Sequence, residues 1–302
     1  MTTSDRRLAY AAWGAICVIW GTTYLAIRIC LETIPPALVG GLRFVTAAAV
    51  LTAALPVAGA RLPPRTLWPE LAVLGVLLLG VGNGSVIVAE QWVPSGITAV
   101  IAGTMPFWMV GVESLLPGSE RLGRRHFAGL ALGFAGILLL VWPDIRSPDM
   151  TGHRFLLGVA ALQLGCIGWV LGSIYSKRRG ITGDPLSAAA MEMFFGGIFM
   201  LIVGTLRGEW LALHFTGRTL GALAYLVAIG AVIGFAAYTY ALNHLPVSFV
   251  SLYAYINPII AVLLGTLVLS EPLTIRIVAG AAVIIAGVAL VKIGAPRRIE
   301  VS

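Results

Sequence analysis

Again and again the chain runs for about 20 residues with hardly a charge, and no other feature limits its fold so tightly. A helix rising 1.5 Å per residue needs about 20 residues to cross a hydrocarbon core of about 30 Å. Inside that core no water meets the backbone amides and carbonyls, which leaves helices or a closed barrel, and barrel strands need only about 10 residues. Cutting the sequence at its charges, prolines and glycines gives ten runs, near 8–30, 36–58, 68–91, 94–116, 125–142, 154–176, 186–206, 218–243, 246–269 and 273–293. Composition agrees: 11% of the residues are charged and 59% hydrophobic, where a soluble domain carries about 25% charge. The expected fold is an all-α integral membrane protein of ten transmembrane helices, with the lipid bilayer as its partner.

The net charge is +7. Such an excess serves nucleic-acid binding only when it forms one basic face with stacking aromatics, whereas here the bases stand at the ends of the apolar runs, so no nucleic-acid partner is expected. They set orientation instead. With the N-terminus inside, thirteen bases, from Arg6 and Arg7 to Arg297 and Arg298, fall on the cytoplasmic side, and six (Arg28, Arg146, Arg154, Arg207, Arg218 and Arg276) fall outside. Basic residues concentrate in cytoplasmic loops, so both termini are expected in the cytoplasm. The first run follows Arg6 and Arg7 as a signal peptide would, but it is too long for a signal core and lacks a small-residue cleavage site; it is expected to stay on the protein. Cys17 and Cys166 lie inside runs and Cys30 at a run's edge, positions that suit packing rather than a disulfide framework.

The chain also writes its pattern twice. SEPLTIRIVAGAAVIIAGVALV at 270–291 overlies SERLGRRHFAGLALGFAGILLL at 119–140, pairing Glu120 with Glu271, Gly129 with Gly280 and Gly136 with Gly287. The offset, 271 − 120 = 151, is half of the 302 residues. It recurs where Gly14, Gly21 and Tyr24 fall on Gly165, Gly172 and Tyr175, and at 152 Pro94 and Pro106 fall on Pro246 and Pro258. Residues 1–146 and 152–295 then form two repeats of five helices each. An odd number of crossings makes the second repeat enter the membrane upside down, so the two are inverted about a pseudo-twofold axis in the membrane plane. Halves related in this way rock around a midplane site, and alternating access is the expected mechanism.

WGTTYLAIR at 20–28, Arg43 in the second run, SEPL at 270–273 and the five-plus-five plan together resemble the EamA-type exporters of the drug/metabolite transporter superfamily. The resemblance covers essentially the whole chain. It implies ten helices in a bacterial-type inner membrane, export of amino acids or related small metabolites, and a central cavity lined mainly by helices other than 5 and 10. The first half departs from the pattern, with SERL at 119–122 where the second has SEPL. An exporter of drugs or nucleotide-like metabolites is the alternative within transporters, and a membrane-embedded enzyme or structural subunit the alternative outside them.

Depth selects the site candidates. Pro106 and Pro258 each lie 12 residues into their runs, about 18 Å deep at 1.5 Å per residue and so near the midplane. A proline there breaks the helical ladder; it reads as a packing kink or as a gating hinge, and its repeat-related placement favours the hinge. GVGNGS at 80–85 sets bare backbone and the Asn83 amide in the apolar layer, facing either a packed helix or a wet cavity. Trp20 and Trp169 are the mid-depth tryptophans. The substrate is expected where runs 1, 3, 4, 6, 8 and 9 converge, against Trp20, Asn83, Trp108, Trp169, Tyr240, Tyr253 and Asn257. Their rings would form apolar walls and the two amides would orient the polar end of an uncharged or zwitterionic small molecule.

Intramembrane charge is expensive and marks function. Arg43 lies about 10 Å below the outer surface, with Glu90 the better-placed acid to meet it, while Glu113 and Glu192 lie toward the inner surface within reach of loop bases. These four read either as snorkelling side chains or as gate ion pairs and proton sites. Because the three acids sit near a membrane face, facilitated, gradient-driven export is favoured over proton coupling. His126, His153, His214 and His244 stand at loops or run ends without metal-ligand or nucleophile-elbow spacing, so no catalytic residue, metal or cofactor is expected.

Overall fold

The computed structural model describes residues 3–115, 124–145, 150–179, 184–245, 247–250 and 252–294, and every regular element among them is helical. Among the described residues, eight helices are long and apolar enough to cross a membrane, and the two that stand where the ninth and tenth runs were expected, Tyr253–Leu269 and Ile275–Leu290, are shorter. The SERL residues at 119–122, and Pro246, lie outside the described residues.

Helices α1 (Thr3–Cys30) and α2 (Pro36–Ala54) are regular. Helix α3 is continuous but changes its winding: Trp68–Leu74 is α-helical, Gly75–Asn83 π-helical and Gly84–Ala89 α-helical. Helix α4 comes in two pieces, Ser95–Ala102 and Met105–Ser114. Then follow α5 (Arg124–Ile145), α6 (Met150–Arg179) and α7 (Pro185–Leu206). Helix α8 repeats the winding of α3, as Gly217–Tyr225, a π-helical Leu226–Ile233, and Gly234–His244. The two π segments start 226 − 75 = 151 residues apart, at the offset of the sequence repeat. Helices α9 (Tyr253–Leu269) and α10 (Ile275–Gly294) complete the bundle.

Helix starts follow local chemistry. Pro36 and Pro185 open α2 and α7, where a missing N–H costs nothing. The Asp184 carboxylate accepts from the Ser187 amide at 2.8 Å, and Thr216 and Thr219 form a capping box at the start of α8. Ser270 ends α9 in the left-handed region, with φ 55°.

Packing respects the two halves. Helix α5 lies along α10, α2 along α7 and α4 along α9; α3 packs on α6 and α7, as α8 packs on α1 and α2. Exchanging the halves turns this set of pairs into itself. The same holds atom by atom between α5 and α10, where a Cβ on Gly136 would lie 3.0 Å from the Gly280 carbonyl and one on Gly287 would lie 2.7 Å from the Gly129 carbonyl. Adding 151 to Gly129 and Gly136 gives Gly280 and Gly287, so the second contact is the first with its partners exchanged. Helix α6 begins at the end of the bundle where α1 finishes: Gly158 of α6 packs on Ala89 and Val93, and the Arg28 guanidinium near the end of α1 donates to the Glu90 backbone oxygen.

One apolar core, around Leu38, Phe44, Met193 and Met200, holds α2, α7 and α8 together. Another, around Phe107, Leu140, Ile284 and Val288, joins α4, α5 and α10. Exposed Leu138 and Leu139 of α5 and Val278 of α10 face outward from the bundle, the expected contact with lipid chains.

Candidate functional site

Where both halves converge lies a cavity of about 160 Å³. Trp20, Tyr24 and Thr23 reach it from α1, Arg43 and Phe44 from α2, Asn83 from α3, Met105 from α4, Trp169 and Cys166 from α6, Phe235 from α8, and Tyr253 and Asn257 from α9. Helices α5 and α10 contribute nothing to it. A larger space of about 380 Å³ adjoins it between α4 and α9, sharing Tyr24, Ala102, Met105, Tyr253 and Asn257 and adding Met109, Pro106 and Pro258. The cavity therefore continues along one end of the α4–α9 seam.

Its aromatic wall is held by its own contacts. The Trp20 indole N–H donates to the Gly230 carbonyl at 3.2 Å, inside the π-helical part of α8. Its ring meets Tyr253 edge-on at 4.9 Å and Tyr238 at 5.1 Å. On the far side the bare backbone of α3 is what admits Trp169: a Cβ on Gly82 would lie 3.2 Å from the Trp169 ring. The two amides differ. With its nitrogen turned toward the two nearby carbonyls, the Asn257 amide donates to Cys17 O and Tyr253 O at 3.0 Å each, bolting α9 to α1. Asn83 lines the cavity half-buried and caps no helix.

The structure thus gathers Trp20, Asn83, Trp169, Tyr253 and Asn257 around one cavity and leaves two expected residues outside it. The Trp108 indole N–H is spent on Gln163 Oε1 at 2.7 Å, against Phe134. Tyr240 stacks on His244 at 4.2 Å. Both lie on helices that reach the site, on faces turned away from it. Tyr24, four residues after Trp20 and so on the same helix face, was the lining residue that spacing alone would have found. Phe235 had no such signal.

The prolines sit differently in the two halves. Pro106 opens the second piece of α4, just past a break at Gly103 and Thr104, whereas Pro258 lies inside α9. Among the charges, Glu113 pairs with Lys177 at 3.1 Å on the exposed end. Glu192 is half-buried in α7, where its backbone carbonyl abuts Gly75 of α3. Arg43 and Glu90 are both buried, at 5% and 0% exposure, and form no ion pair within 4 Å.

At the other end the seam is shut. The Glu271 carboxylate accepts from the backbone amides of Ser95 and Gly96 at 2.8 and 3.2 Å, and every residue from Ser95 to Ile101 is buried. Glu209 does the same for α2, accepting from Ala37 at 2.9 Å and Leu38 at 3.2 Å. Past the break, only Phe107 of Met105–Ser114 is buried. A carboxylate at a helix N-terminus meets both unpaired amides and the positive end of the helix dipole.

The model of the EamA-like transporter family matches the chain twice, over residues 9–142 and 156–293. This chain belongs to the EamA-like transporter family. It is 35% identical over 286 residues to "Uncharacterized inner membrane transporter YedA" of Escherichia coli K12, covering 94% of this chain and 90% of that relative. Over 276 residues it is 26% identical to "Uncharacterized transporter YvbV" of Bacillus subtilis, covering 91% and 88%. It is 25% identical over 285 residues to a "Probable amino-acid metabolite efflux pump" of Salmonella typhimurium, covering 90% of each. A solved crystal structure covering 97% of this chain and 99% of its own shares the fold, with a TM-score of 0.64 at 21% identity. The family is one of membrane transporters, and in this member both matched segments supply walls of the one cavity.

Proposed function

We propose that this EamA member is an inner-membrane secondary transporter, built as two inverted five-helix repeats, that exports amino acids or related small metabolites by alternating access. The observation that carries the reading is the cavity itself: it is formed at the meeting of both halves, walled by aromatics, closed at the Glu271 end and continued at the other. A binding site at a repeat interface, shut at one end and continued at the other, is what a rocking mechanism requires in its open stages. The half-for-half exchange of helix pairs and the antiparallel run of α1 and α6 support the inversion. The efflux-pump name of the Salmonella relative supports the amino-acid class.

Counterflow in proteoliposomes, with a panel of labelled amino acids and with and without an imposed pH gradient, tests it. Exchange of at least one member that persists without the gradient is expected. No exchange of any member would overturn the substrate class, and exchange only under the gradient would overturn the facilitated mechanism. Cysteine-accessibility labelling tests the topology: ten helices with both termini cytoplasmic are expected, and a C-terminus labelled from the periplasm would overturn that scheme.

A further inference from the structure

Among the residues lining the cavity, Arg43 is the one charged side chain. It is 5% exposed, and its Nε and Nη1 are buried with no hydrogen-bond partner among the described residues. Its guanidinium carbon lies 4.9 Å from the centroid of the Phe44 ring. Glu90, the acid expected to neutralise it, makes no ion pair with it, and among the described residues neither Glu90 carboxylate oxygen has a hydrogen-bond partner. Glu90 acts on Arg43 as a nearby opposite charge, but with no ion pair or hydrogen bond between them the buried N–H groups stay unmet, which is costly. A guanidinium keeps its charge under all physiological conditions, so it cannot escape by losing its proton. A guanidinium fork matches the two oxygens of a carboxylate, and this one stands in the cavity wall with Nε and Nη1 buried and unmet.

We propose that Arg43 is the substrate-binding residue that receives a carboxylate, and that the cargo is a small monocarboxylate with an apolar or aromatic tail; this deepens the export reading and rests on it. A phosphate monoester would bring close to two negative charges at neutral pH, and the cavity wall offers a single positive one. The rest of the wall fits the tail of such a molecule. Trp20, Tyr24, Trp169, Phe235 and Tyr253 present ring faces and edges, which also attract an ammonium group if the cargo carries one. Asn83 adds a free amide, whereas the Asn257 amide is already occupied by backbone. The charged end of the cargo would thus lie toward α2, and its tail between α1, α6 and α9.

The full chain, purified in detergent and reconstituted, provides the test. The probes are phenylalanine and leucine, their carboxamides, and 3-phenylpropionate as a carboxylate without an amino group. Binding is read by quenching of tryptophan fluorescence and transport by counterflow. In the wild type each acid is expected to bind about 10- to 100-fold more tightly than its carboxamide, the range for a charge-assisted hydrogen bond. Arg43→Gln should bring that ratio near one, and Arg43→Lys should restore part of it. A wild-type ratio near one, or an Arg43→Gln protein that keeps the wild-type ratio, would overturn the assignment even while counterflow continues. If Arg43→Gln fails to fold, the wild-type ratio and Arg43→Lys still decide. Carboxylate-selective binding without counterflow of any member of the amino-acid panel would support Arg43 while rejecting amino-acid export. No binding of any probe would overturn both.

Discussion

The two asparagines of the cavity are chemically alike and placed for different tasks. Asn257 spends its amide on Cys17 O and Tyr253 O, so it ties two helices together, while Asn83 faces the cavity and caps nothing. Both carbonyls belong to helices, so what Asn257→Ala removes is the link between α1 and α9, at a net of about 0.5–1.5 kcal/mol per hydrogen bond. Asn257→Ala is therefore expected to lower the thermal unfolding temperature in detergent, and Asn83→Ala to leave it near wild type while slowing counterflow several-fold. The reverse ranking would put the polar contact with cargo on Asn257. Trp20 combines both tasks, since its N–H holds the Gly230 carbonyl and its ring forms part of the wall.

At the scale of elements, close approach of helices depends on which glycines meet backbone. Gly287 of α10 would drive a Cβ to 2.7 Å from both the Gly129 carbonyl and the Gly133 amide, atoms that cannot swing aside, whereas Gly14 of α1 has nothing within 4 Å. Gly287→Ala should thus destabilise by about 1–3 kcal/mol through overpacking. Gly14→Ala should be neutral or stabilise by up to about 1 kcal/mol, because alanine loses less entropy in a helix. Thermal unfolding of the two variants checks this, and equal effects would contradict the α5–α10 interface. The prolines belong to this scale too. Pro258→Ala restores a missing ladder bond inside α9 and should slow turnover more than it weakens binding, since it stiffens the seam without removing a contact. A loss of binding with unchanged turnover would make Pro258 a contact residue.

For the whole molecule the question is what holds one end shut. Glu271 reaches from the link between α9 and α10 to the first amides of α4, so it fastens one side of the seam across the two halves. A carboxylate on helix N-terminal amides contributes about 1–2 kcal/mol. Glu271→Ala should therefore move the balance toward opening at that end by about 10-fold, at 1.4 kcal/mol per decade. A cysteine in place of buried Thr98, labelled by a membrane-impermeant thiol reagent, reports the change. Labelling that does not rise in Glu271→Ala would show that the seam is closed by packing alone.

Much of the architecture was legible before any coordinates. The lengths of the apolar runs predicted the helices because a bilayer core has a fixed thickness, and the 151-residue offset read from the sequence recurs in the two π segments and the exchanged glycine contacts, which the sequence alone did not name. Depth alone singled out Trp20, Asn83, Trp169, Tyr253 and Asn257, all five of which reach the cavity. Trp108 and Tyr240, at suitable places along their helices, do not line the cavity and are engaged by Gln163 and His244 instead. In water an apolar stripe tells which face of a helix turns inward, but in lipid both faces are apolar and that signal disappears. Helix rotation was left to side-chain packing among neighbours, and so was the separation of Arg43 from Glu90. The sequence by itself determined that the chain is helical and apolar enough to cross a membrane repeatedly, because run length and composition answer to bilayer thickness; only the tertiary structure decided which side chains meet at the centre, because that depends on contacts between helices distant in the chain.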